Sequence, residues 1–109
     1  MQAASAFPCR TWHLLGAGYG SRRVAMATVS PGYDETRLNN RPLDRVVDRA
    51  NGAFYDAQWA AALASGADWI LITSVNEWWE NTQIESSQRF GERYGWRTKF
   101  WSTAFKRAP

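Results

Sequence analysis

With 109 residues, 45% of them hydrophobic, the chain has the size and apolar content of one small domain. Its net charge of +3 comes from Lys and Arg spread along the sequence with no run longer than Arg22-Arg23, whereas nucleic-acid binders gather basic residues on a patch or stripe; the charge reads as solvated surface and speaks against a nucleic-acid partner. One cysteine, Cys9, excludes an internal disulfide, His13 has no second His or Cys near it to share a metal, and no stretch approaches the roughly 18–20 apolar residues of a membrane span.

Residues 1–20 have no hydrophobic period and lack the charged start and apolar core of a signal peptide, so the compartment is not legible. Gly16, Gly18 and Gly20 form a small glycine patch without the GxGxxG spacing of a nucleotide loop, which reads as a plain loop. This poorly defined segment is set apart from residues 21–109, which carry all the recognisable pattern. Residues 24–29, Val-Ala-Met-Ala-Thr-Val, are a short apolar run stopped by Ser30-Pro31-Gly32, the signature of a buried strand followed by a loop. The loop, residues 33–51, is polar and contains Pro42 and the pair Asn39-Asn40.

Tyr55, Trp59, Ala62 and Leu63 recur at i, i+4, i+7 and i+8, and Ala57, Ala60, Ala61 and Ala64 add helix propensity. A helix is predicted over residues 53–65, ended by Gly66. Residues 69–72, Trp-Ile-Leu-Ile, are continuously apolar, as in parallel strands covered on both faces. A polar loop over 73–85 follows, and then Tyr94, Thr98, Trp101 and Phe105 mark a second amphipathic helix, with Lys106 and Arg107 where cations suit the helix dipole.

The order strand, loop, helix, strand, loop, helix implies two βα units with parallel strands and a right-handed crossover. Two parallel strands alone leave edges unpaired, and a closed barrel takes eight such units in about 250 residues. The fold class expected is therefore α/β, with the chain as the C-terminal fragment, about two βα units, of a (β/α)8 TIM barrel. Oligomeric state cannot be read from these residues.

The loop after the second strand carries the chemistry. In such barrels the C-terminal ends of the strands form the active site. Here that end presents Asn76, Glu77, Trp78, Trp79, Glu80, Asn81 and Gln83. Carboxylates move protons, amides hold hydroxyls and indole faces stack on the C–H surface of a sugar. Glu77 and Glu80, three apart, point the same way if the loop has helical curvature, and two such groups can divide acid and base work.

The segment Ile72-Thr73-Ser74-Val75-Asn76-Glu77-Trp78-Trp79-Glu80-Asn81-Thr82-Gln83-Ile84-Glu85 resembles the ITSxNEWxEGTQIEP signature of glycoside hydrolase family 99, which includes endo-α-mannosidases and polysaccharide-synthesis relatives. Val29-Ser30-Pro31-Gly32-Tyr33-Asp34 with Arg37 is similar to that family's VSPGYDxTxxR loop, and Asn51-Gly52 to Tyr55 with Trp59 to its NGxxYxxxW helix start. The resemblance covers roughly residues 24–106. It implies a retaining hydrolase of α-mannoside-type glycans that needs no metal or cofactor. Glu77 would be the base that draws the proton from the sugar 2-hydroxyl, giving a 1,2-anhydro sugar, and Glu80 the general acid/base. By the same resemblance Asn76, Trp78, Trp79, Tyr33, Asp34 and Arg37 become substrate-binding candidates, all but Tyr33 with a structural alternative: a turn amide for Asn76, packing for the two Trp, a salt bridge for Asp34 and Arg37. The chain departs from the signature at Trp79, where His is common, at Asn81 for Gly and at Ser86 for Pro. Asn is the residue best able to keep a left-handed turn. The departure at Trp79 keeps open a glycan-binding or polysaccharide-biosynthesis domain of the same fold that does not hydrolyse.

Overall fold

A computed structural model describes residues 24–39, 42 and 45–108. The segment 1–20, with its glycine patch, Cys9 and His13, lies outside the described residues. In chain order the elements are β1 (Met26–Val29), β2 (Tyr33–Asp34), β3 (Val46–Val47), a 3₁₀ turn (Ala50–Gly52), α1 (Ala53–Ala64), β4 (Trp69–Ile72) and α2 (Arg93–Arg107). β1 and β4 pair in parallel, Met26 against Trp69 through Val29 against Ile72, with α1 as the crossover between them. This is the β-α-β-α succession expected from the apolar runs.

Helix α1 forms where alanine is dense, and it buries Tyr55, Trp59 and Ala62. Its end is a local event: Ser65 N–H bonds back to the Ala61 carbonyl, and Gly66 turns left-handed at φ 71°. The core is Ala27 and Val29 of β1, the α1 aromatics and Tyr94 of α2, with Ile70 and Ile72 packed against them. Tyr55 meets Trp59 edge-on at 6.1 Å and Tyr94 at 5.8 Å, and its hydroxyl bonds Thr98 at 2.7 Å, which joins the two helices. The predicted α2 stripe faces inward, whereas Trp96 and Phe100 lie on the exposed side of that helix.

Two expectations are corrected. β4 is not covered on both faces within these residues: Trp69 and Leu71 are 58% and 47% exposed, while Ile70 and Ile72 pack on the core. Successive strand side chains point to opposite faces, and one layer of helix covers one of them; in a barrel the other face packs against neighbouring strands. The segment between Tyr33 and Asn51 is not a plain loop either. β2 and β3 form a short antiparallel ladder, Tyr33 against Val47 and Asp34 against Val46. Two residues per strand are too few to carry a readable alternation.

Candidate functional site

The loop that leaves β4 is held by its own backbone. Ser74 N–H donates to the Thr82 carbonyl at 2.9 Å, Ile84 N–H to the Ser74 carbonyl at 2.9 Å and Glu85 N–H to the Val75 carbonyl at 3.0 Å, so residues 74–85 form a closed hairpin-like excursion. Ser74 Oγ takes the Glu77 N–H at 3.0 Å and bonds Thr82 Oγ1 at 2.7 Å, pinning the start of the acidic turn to its end. Asn81 closes the turn at φ 53°, the left-handed backbone that its replacement of glycine required.

This turn brings Glu77, Trp79 and Glu80 to one open cavity of about 420 Å³, together with Arg37 and Leu38 from the loop after β2. The size suits a small ligand such as one sugar unit. Glu77 Oε1 accepts the Trp79 N–H at 3.2 Å, an orienting bond within the turn. Glu80 also lines a second, more apolar cavity of about 340 Å³ at the C-terminal end of β1, with Thr28, Tyr33 and Gln58. Glu80 thus borders both cavities, and Glu77 borders the first. Trp79 is 62% exposed and offers its indole to that space.

Not all the sequence-selected residues meet there. Trp78 turns to the other side of the loop, where its Nε1 donates to Glu85 Oε2 at 3.1 Å and its ring lines a separate groove of about 390 Å³ with Asp34, Arg37 and Arg89. Asn76 is exposed and is not among the residues lining the carboxylate cavity. Tyr33 borders the apolar cavity, yet its hydroxyl is 2.6 Å from Glu35 Oε2 and donates there. The Asp34 carboxyl accepts the Thr36 N–H at 3.1 Å, and its backbone N–H donates to the Glu80 carbonyl at 2.9 Å. Arg37, which borders both the carboxylate cavity and the Trp78 groove, connects the two.

The hydrogen bonds from Thr36 hold the Asp34 carboxyl below its ordinary value, with Arg89 and Arg37 adding weaker attraction. A depressed carboxyl stabilises the fold fully above its unfolded value, near 3.8, and loses that contribution as pH falls through the lower folded value. Denaturation midpoints at pH 5 and pH 3 should therefore converge in Asp34→Asn relative to the parent. Parallel pH dependence in the two proteins would deny the carboxyl this role.

Two residues that the sequence reading passed over are central. Glu35 is 1% exposed and accepts the Tyr33 hydroxyl and the Arg45 N–H, so it organises the loop after β2. Arg49, treated with the other basic residues as solvated surface, is 6% exposed. Its Nη2 donates to the Gln83 carbonyl at 2.9 Å and the Asn81 carbonyl at 3.1 Å, and its guanidinium carbon lies 4.2 and 4.4 Å from the Phe90 and Tyr94 ring centres. Burial pushes its pKa down, and the two ring faces offset part of the cost of desolvating the cation. Gly32 makes room for it: a Cβ there would stand 2.6 Å from Arg49 Cγ and 2.9 Å from the Val47 carbonyl oxygen. Because the second neighbour is backbone, Gly32→Ala should destabilise by about 1–3 kcal/mol in chemical denaturation. An unchanged midpoint would mean that the loop yields freely. The signal for Gly32 was in the SPG sequence; for Arg49 no local pattern marks burial.

Among the described residues no group of His, Cys, Asp and Glu is arranged to hold a metal ion, and no helix is long and apolar enough to cross a membrane.

The profile of Glycosyl hydrolase family 99 matches residues 8–92. The chain is 38% identical over 64 residues to the glycoprotein endo-alpha-1,2-mannosidase of Rattus norvegicus, an alignment covering 59% of this chain and 14% of that protein. It is 40% identical over 58 residues to the endo-alpha-1,2-mannosidase-like protein of Danio rerio, covering 53% and 13%. In space it superposes on the GH99 endo-alpha-mannosidase of Bacteroides thetaiotaomicron with a TM-score of 0.78 at 33% identity, covering 93% of this chain and 34% of the bacterial one. The chain thus spans about one seventh of the two vertebrate relatives. The superposition agrees with the expected architecture, an α/β piece of a (β/α)8 barrel containing two βα units.

Proposed function

The chain belongs to glycosyl hydrolase family 99, and from that premise we propose that it contributes the acid–base loop of a retaining hydrolase acting on α-mannoside-type glycans. The observation that carries the reading is the convergence of Glu77 and Glu80 on one open cavity beside the exposed Trp79. The vertebrate and bacterial relatives named as endo-mannosidases supply the substrate class. In the proposed reaction Glu77 removes the proton from the sugar 2-hydroxyl, and O2 displaces the leaving oxygen at the anomeric carbon. Glu80 gives its proton to that leaving oxygen, and a 1,2-anhydro sugar results. Glu80, now a carboxylate, then takes a proton from water as the water attacks the anomeric carbon. Glu77 returns its proton to O2. Two inversions give net retention, with no glycosyl group on the protein; this departs from the usual pair of flanking carboxylates. Trp79 and Arg37 flank the sugar, one by stacking and the other by donating to hydroxyls.

The test is incubation of the natural polypeptide carrying these residues with an α-mannoside oligosaccharide, followed by proton NMR of the first-formed anomer. Release of the α-anomer before mutarotation is expected; first-formed β-product would overturn retention. A second reading, a glycan-binding or polysaccharide-assembly domain that does not hydrolyse, is favoured by Trp79 at the position where the signature commonly has His. It predicts calorimetric binding of the same oligosaccharide with no product after prolonged incubation.

A further inference from the structure

We propose that Arg49 is the positioning residue of the acid–base loop, acting from beneath through the carbonyls of Asn81 and Gln83 to set the direction of the Glu80 carboxyl. The inference rests on Glu80 being the general acid/base, as proposed above. Glu80 is held on two sides. Its own carbonyl accepts the Asp34 N–H at 2.9 Å, and the carbonyl of the next residue, Asn81, accepts Arg49 Nη2 at 3.1 Å. The same nitrogen reaches the Gln83 carbonyl at 2.9 Å and lies 3.4 Å from Asn81 Oδ1, which in turn accepts Gln83 Nε2 at 3.0 Å. These bonds fix the peptide groups that follow Glu80, and with them the Cα–Cβ direction of its side chain.

The anchor is itself rigid. The Phe90 and Tyr94 rings lie against the guanidinium, and the stem of Arg49 runs so close to Gly32 that a Cβ would collide with it. The Arg49 carbonyl accepts the Gly52 N–H at 3.0 Å, and Ala50, Asn51 and Gly52 follow in left-handed backbone at φ 49°, 57° and 102°. An alanine at positive φ is strained, and such strain persists only where surrounding contacts impose it. A planar guanidinium suits this place better than an ammonium, because it can lie against aromatic rings while its edge donates to converging carbonyls. Nε and Nη1 have no hydrogen-bond partner among the described residues, and the bonds from the guanidinium to the loop are made by Nη2.

A displaced general acid hurts substrates in proportion to their need for a proton. The experiment therefore compares kcat/KM, which reports departure of the leaving group and not the later water attack in which Glu80 is the base, for the parent, Arg49→Lys and Glu80→Ala in the natural polypeptide on two substrates: an α-mannoside oligosaccharide, and the corresponding glycosyl fluoride, whose leaving group departs with little proton assistance. For Arg49→Lys the expected result is a loss of about 10–100-fold in kcat/KM on the oligosaccharide, part of the range a general acid supplies. KM on the oligosaccharide should stay within about threefold, and the loss of kcat/KM on the fluoride should be no more than about threefold. Equal losses on both substrates, or oligosaccharide turnover within threefold of the parent, would overturn the role of Arg49. Glu80→Ala separates the two claims. If it is selective for the oligosaccharide while Arg49→Lys is not, only the positioning role falls; if Glu80→Ala affects both substrates alike, the general-acid assignment falls and the positioning role with it. Should Arg49→Lys fail to fold, Phe90→Leu removes one wall of the guanidinium while leaving its donors, and the same selective loss is expected at smaller size; its absence there would overturn the proposal.

Discussion

Glu80→Gln should lower turnover of an α-mannoside oligosaccharide by about 10²–10⁴-fold, the contribution of a positioned proton donor. The amide keeps the size of the side chain at the junction of the two cavities but cannot give up a proton, so binding should change far less than kcat. Glu77→Gln should be at least as damaging, because the 2-hydroxyl is a poor nucleophile until its proton is taken. The two variants should differ in kcat/KM on the fluoride, whose departure needs no proton from Glu80 but still needs Glu77 to free O2. The identity of the nucleophile has its own check. Intact-protein mass spectrometry with a 2-deoxy-2-fluoro glycosyl donor should reveal no adduct, since O2 is absent. A gain of one glycosyl mass on Glu77 would replace O2 participation with a covalent intermediate. Turnover of the natural substrate by Glu77→Gln at the parent rate would remove Glu77 from the mechanism altogether.

Trp59→Ala should cost about 3–5 kcal/mol of folding stability, a large part of the 5–15 kcal/mol that domains possess. Trp59 is 1% exposed at the centre of α1 and meets Tyr55 edge-on; Tyr55 meets Tyr94 of α2, and Tyr94 meets Phe90 at 5.4 Å. This aromatic series ends on the guanidinium of Arg49, so loss of Trp59 should loosen the anchor of the acid–base loop as well as the core. Urea denaturation followed by circular dichroism gives the first quantity. A change below about 1 kcal/mol would contradict the central place of Trp59 in the core. Amide hydrogen exchange over residues 74–85 gives the second, with faster exchange expected in the variant.

The main elements were legible because their signals are local. Alanine density with Tyr55, Trp59 and Ala62 at helical spacing specifies α1, the Trp-Ile-Leu-Ile run specifies β4, and Tyr94, Thr98, Trp101 and Phe105 specify the inner face of α2. The NEWxE segment and its position after a strand singled out Glu77 and Glu80, and the positive φ of Asn81 follows from its chemistry. What local pattern could not say is which neighbours in sequence part company in space. Trp78 and Trp79 are adjacent, yet the turn sends one to the Glu85 side and the other to the carboxylates. The pairing of β2 with β3 rests on two residues from each strand. Arg49 and Glu35 look like surface charges in any window of sequence, because burial of a charged residue is decided by partners that no period marks: Asn81, Gln83, Phe90 and Tyr94, all more than thirty positions on, for the one, and Tyr33 with the Arg45 N–H for the other. The sequence by itself determined β1, α1, β4, α2, the fold class and the acidic loop, since periodicity and turn chemistry act over a few residues. Only the tertiary structure decided which face of that loop carries each side chain, through bonds such as Trp78 to Glu85 that no period announces, and which buried cation supports it, through desolvation and hydrogen bonding between Arg49 and residues more than thirty positions away.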